Sequence, residues 1–93
     1  MAHYEHAEQN GEALYALGMF HAAGRSGPAD LVTAHKWFNI AAMKGHAEAA
    51  RMRREIAAEM TDAEIGQAQR AARDWLRSQA AVAPAPLQFR AAA

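Results

Sequence analysis

Five histidines are the first residues whose chemistry invites a functional reading: His3, His6, His21, His35 and His46. His3 and His6 stand at i, i+3, which suits two metal ligands on one helical turn, but they precede any periodic segment that would hold them rigid. No H-E-x-x-H pattern is present and cysteine is absent, so a zinc site lacks both its usual helix and its sulfur ligands. Nucleophilic chemistry is served no better. The aliphatic hydroxyls are Ser26, Ser78, Thr33 and Thr61; Thr61 opens a capping pattern, and Ser26 lies in a run of breakers. Gly24 to Gly27 lacks the Lys-Ser/Thr of a phosphate-cradling loop. Glu48, Glu55, Glu59 and Glu64 fall at helix-surface positions, where i, i+4 pairing with arginine is the ordinary arrangement. The expectation is a chain that is not an enzyme and that carries no cofactor and no metal.

Charge gives a similar answer. Arg51, Arg53, Arg54, Arg70, Arg73 and Arg77 would make a phosphate-binding face, but Glu55, Glu59 and Asp74 interrupt it. Ten basic residues balance ten acidic ones, so no net field recruits nucleic acid or an acidic membrane. No stretch approaches eighteen apolar residues, and the first twenty hold no basic region followed by an apolar run. With cysteine absent, the expectation is a soluble, cytoplasmic protein whose partner is another protein, not nucleic acid or membrane.

The elements that must position these groups are helices. The chain has 93 residues, room for one small domain. Apolar residues make up 52% of it, yet 26 of them are alanine, so 22 larger side chains must supply the core. Strong helix formers dominate, and the fold class expected is all-α. Residues 1–6 are polar and read as a flexible N-terminus. A helix over 7–23 carries Ala13, Leu17 and Phe20 as its apolar face, with Leu14, Gly18 and His21 beside it. Gly24 to Ala29 breaks the chain, and Asp30 stands as the N-cap of a helix over 31–44, whose face is Leu31, Ala34, Phe38, Ala41 and Ala42, widened by Trp37 and Ile40. Gly45 stops it. A third helix over 46–60 presents Ala49, Met52, Ile56 and Met60. Thr61 and Glu64 form a capping box for a fourth, over 62–79, with Ile65, Ala68, Ala72, Trp75 and Leu76 inward. Pro84 and Pro86 break the tail, so 7–81 reads as one domain of about four antiparallel helices and 82–93 as a flexible Pro/Ala segment.

So many alanines suit helices that cross closely, as in stacked helical pairs. From Ala13 to Ala49 the chain keeps a fixed pattern: Ala13, Leu17-Gly18, Gly24, Pro28, Asp30, Ala34, Trp37-Phe38, Ala41-Ala42, Gly45 and Ala49. This 37-residue stretch resembles the Sel1-like repeat, a relative of the tetratricopeptide repeat. The resemblance implies an α-α hairpin repeat and an adaptor or scaffold role in protein–protein interaction. Two positions depart from the family: His21 stands where a tyrosine is usual, and Ser26-Gly27 replaces Gly-Val. Shifted by 36 residues, Leu17 and Gly18 fall on Arg53 and Arg54, and Gly24 on Met60, so a second repeat starts and fails. The sequence from Thr61 to Trp75 is similar to the segment after the last repeat in some bacterial Sel1-like proteins, which makes the third and fourth helices a C-terminal cap. Arg53 and Arg54 would block further repeats.

The function expected is a non-catalytic module that binds a peptide or helix of a partner protein. Its surface is assigned to Tyr15, Met19, His35, Met52 and Glu55, with Trp75 as an anchor near the end of the last helix. The alternative is a self-associating or accessory subunit, such as a homodimer, because the core is small for a chain that stands alone.

Overall fold

Capping chemistry sets four helices among the described residues. The structure is a computed structural model that describes residues 10–24 and 28–82, with the side chains of 81 and 82 excluded. The expected flexible terminus, His3 and His6, the Ser26-Gly27 departure and the tail from 83 onward lie outside the described residues. Asn10 accepts a hydrogen bond from the Ala13 N–H at 2.9 Å and starts α1, Gly11–Ala23. The helix therefore begins at Gly11, later than the expected 7. Gly24 closes it in the left-handed region at φ 70°.

Asp30 starts α2, Leu31–Met43, as its spacing predicts, accepting from the Thr33 N–H at 3.0 Å and the Thr33 hydroxyl at 2.7 Å. These two bonds hold the Asp30 carboxyl below the ordinary carboxylate range. Gly45, at φ 96°, then reverses the chain: its N–H reaches the Ala42 carbonyl and the His46 N–H reaches that of Ala41. His46 at once caps the next helix, α3, Ala47–Ala57, its Nδ1 accepting from the Ala49 N–H at 3.1 Å. α3 stops short of the expected 60 because the chain tightens: the N–H groups of Glu59 and Met60 bond three residues back, to Ile56 and Ala57.

The capping box forms in both directions. Thr61 Oγ accepts from the Glu64 N–H at 3.1 Å, and Glu64 Oε1 accepts from the Thr61 N–H at 2.9 Å. From it runs α4, Asp62–Val82. It exceeds the expected end at 79, since Ala80 and Ala81 favour helix and the first residue that forbids it is Pro84.

Helix α2 is the hub, packing on α1, α3 and α4, whereas α1 and α3 touch only lightly. Its Ala34, Phe38, Ile40 and Ala41 are wholly buried, joined by Leu14, Ala49, Ile56, Ala68 and Ala72 from the other helices. Three large side chains, Phe38, Leu14 and Ile40, are fully buried, each of order 1.5–3 kcal/mol by transfer. Trp37 and Trp75 meet edge to face at 5.4 Å and tie α4 to α2.

One expected face is wrong. In α1 the buried residues are Leu14 and Gly18, while Leu17 and Phe20 stand 40% and 43% exposed. α1 is apolar on nearly every side, so its periodicity marks no single face. The contact with Phe38 selects the side bearing Gly18.

Candidate interaction surface

Helix α1 contributes the residues that face outward on this side of the protein. At 100° per residue, Glu12, Ala16, Met19 and Ala23 share one stripe at i, i+4, i+7 and i+11. Tyr15 flanks it on one side and Phe20 on the other, and the six line a groove of about 440 Å3. Ala16 and Ala23 are its small lining residues, and Met19 and Phe20 are large ones. Among the described residues the exposed large hydrophobics are Leu17, Met19, Phe20 and Met43; three of the four belong to α1. Among the described residues no other helix lines this groove, and an apolar strip of this kind is what a docking face requires.

At the N-terminal end of the groove sits a small polar cluster. His46 Nδ1 is occupied as an acceptor for α3, which leaves the ring proton on Nε2, and Nε2 stands 3.3 Å from Glu12 Oε1. Tyr15 stacks on the same imidazole, ring centroids 4.5 Å apart, and tilts against Phe38 at 5.8 Å. The cluster thus ties α1 to the start of α3 and draws the one carboxylate of the groove to its edge.

The residues assigned to the surface from sequence do not all meet there. Tyr15 and Met19 line the groove. His35 does not: it is 3% exposed within the core, so its assignment to a binding surface is overturned. The reason is topological, since α2 is covered by helices on three sides. The Nδ1 of His35 is buried with no hydrogen-bond partner, and burial, followed by the charge of Arg53, lowers its pKa. Met52 is half-buried against the core, and Trp75 is half-buried against Trp37, so both act in packing. Glu55 is exposed on α3 and pairs with Arg51, which also binds Glu48.

Phe20, Leu17, Ala16 and Glu12 are surface residues that sequence reasoning assigned to the core or passed over. No pattern within α1 marks them as exposed, because the helix is apolar on nearly every side. Among the arginines, Arg77 pairs with Asp74 at 3.0 Å, and Arg53 donates to Asn39 Oδ1 at 2.7 Å. His21 is half-buried with its ring edge-on to Phe20 at 5.2 Å, and its carbonyl accepts from the Asp30 N–H.

A second, more open notch of about 560 Å3 lies between the start of α2 and the α3–α4 turn, beside Asp30, Glu59 and Glu64. Asp30 and Glu64 are both engaged in capping. Among the described residues no group of three or more His, Asp or Glu is placed to hold a metal ion, and no helix is long and apolar enough to cross a membrane. Comparison of the chain with protein-family models, curated proteins and solved structures gives no match in any of the three.

Proposed function

We propose that this chain is a non-catalytic protein–protein interaction module, built on a Sel1-like helical hairpin, which receives a helix or peptide of a partner along the outer face of α1. One observation carries the reading: Met19 and Phe20 are exposed next to each other on α1 and line an apolar groove. The Sel1-like part is supported by the packing roles of the motif residues. Gly18 admits the Phe38 ring, Ala34, Ala41 and Ala49 are wholly buried, Asp30 caps, and Gly24 and Gly45 take positive φ. Ala13, Trp37 and Ala42 are half-buried at the edges of the same hairpin. The non-catalytic part is supported by the engagement of the polar groups beside the grooves in caps and helix-to-helix bonds. A cytoplasmic setting is part of the proposal, in keeping with a chain without cysteine.

The test is affinity capture from native lysate on the full chain beside Met19→Glu and Phe20→Glu. Both positions are exposed, so helicity by circular dichroism should be unchanged. A partner held by the parent and lost from both folded variants is the expected result. A partner retained equally by both would sink the assignment of this surface. The alternative, a self-associating or accessory subunit, is favoured by the small number of large buried side chains.

A further inference from the structure

We propose that Asn10 and Gly11, independently of what docks on α1, form a site of spontaneous deamidation timed by opening of the α1 cap. The sequence holds two asparagines, and the other, Asn39, precedes the branched Ile40 and accepts a hydrogen bond from Arg53. Only at Asn10 does a glycine follow, with no Cβ to hinder its backbone nitrogen. Two separate demands of the fold bring the pair together. Position 10 calls for a short polar cap, which Asn10 supplies to the Ala13 N–H at 2.9 Å. Position 11 favours glycine, since a Cβ there would lie 3.0 Å from His46 Cβ and 3.3 Å from the Ala41 carbonyl oxygen. Asn10 is exposed, so water reaches its side chain.

The reaction needs water alone as co-reactant. As the first helical residue, Gly11 carries an N–H that no carbonyl of the helix takes. Base removes that proton, and the nitrogen attacks Asn10 Cγ in an intramolecular closure to a succinimide ring. The N–Cγ bond forms, the Cγ–Nδ2 bond breaks, and ammonia leaves with the proton. Water then opens the ring at Cγ to give aspartate, or at the backbone carbonyl carbon to give isoaspartate. The cap sets the rate. Closure turns the Gly11 nitrogen toward the Cβ of Asn10, away from the extended ψ of 166° that the cap holds. The reactive state is therefore α1 with its first turn opened, which costs little at a helix end that Gly11 already weakens. The two products differ in consequence. Aspartate caps as well as asparagine does, and its charge suits a helix N-terminus. Isoaspartate adds a main-chain methylene, which displaces Gly11 from His46 and moves the cap out of reach of the Ala13 N–H. The first turn of α1 is then released, together with the bond between Glu12 and His46.

The experiment follows the full chain by peptide mass spectrometry at physiological pH and temperature, folded and in urea, beside Asn10→Ser, which caps but has no amide. The expected result is a gain of one mass unit confined to the peptide that holds Asn10, part of it as isoaspartate. The folded chain should convert several-fold more slowly than the unfolded one, and Asn10→Ser should show no gain. Amide exchange at Ala13 should stay slow in Asn10→Asp and quicken in the isoaspartyl fraction. No gain in the folded chain, whatever the unfolded chain does, overturns the site, as does a gain that persists in Asn10→Ser. Equal rates in the two states overturn the timing by the cap. An isoaspartyl fraction with unchanged exchange at Ala13 overturns the release of the first turn.

Discussion

A Cβ built on Gly18 would lie 2.5 Å from both Cδ1 and Cε1 of Phe38, closer than any carbon pair tolerates. Phe38 is wholly buried and cannot swing away, so the missing side chain at 18 is what lets α1 cross α2 at this distance. The contact fixes which face of α1 is buried, and therefore which face is left for a partner.

Gly18→Ala should lower stability by up to about 2 kcal/mol: overpacking costs about 1–3 kcal/mol, and the better helix propensity of alanine returns about 1 kcal/mol. In a Phe38→Leu background the added methyl has room, and the penalty should largely vanish. Urea denaturation of the double-mutant cycle measures this coupling; strict additivity would contradict the contact.

Gly66→Ala should have the opposite sign. A Cβ there meets only Arg70 Nη1, at 3.5 Å on a flexible side chain, so the propensity gain of about 0.5–1 kcal/mol stands unopposed. Thermal melts of the two glycine variants side by side should shift in opposite directions.

His46→Ala should cost about 1 kcal/mol through loss of the α3 cap, and His46→Asn should restore most of that by accepting from the Ala49 N–H. The asparagine would not restore the stacking with Tyr15 or the bond to Glu12. Amide exchange at Ala49, measured in both variants, separates the cap from those contacts.

Acid should destabilise the fold through His35. Burial and Arg53 lower its pKa from the ordinary 6.5, so the unfolded chain takes up the proton first as pH falls. Stability from this group is complete above that ordinary value and declines as pH drops through the lower folded-state value. Asp30, also depressed from its ordinary 3.8, adds a further loss in stronger acid. Denaturation midpoints at about pH 7.5 and about pH 5 should differ in the parent and converge in His35→Leu, which removes the unpartnered Nδ1.

Much of the fold was legible because it is encoded within a few residues. Asp30 with Thr33, Thr61 with Glu64, and Gly45 after Lys44 are bonds and dihedrals closed over four residues or fewer, and each does in the structure what its spacing predicts. The small departures at helix ends have local causes too, such as the Asn10 cap, later than the expected start, and the tight turn at Glu59 and Met60.

The candidate surface was not legible in the same way. The sequence by itself determined that the described part of the chain is all-helical and where most of its four helices begin and end. Tertiary structure decided which side of α1 is covered, that His35 lies in the core, and that Glu12, Tyr15 and His46 gather at one end of a groove. An amphipathic helix announces its buried face in its own periodicity, but α1 is apolar almost all round. Its orientation is set by a partner 20 residues away, where only a glycine lets the Phe38 ring approach, and no pattern within α1 records that choice.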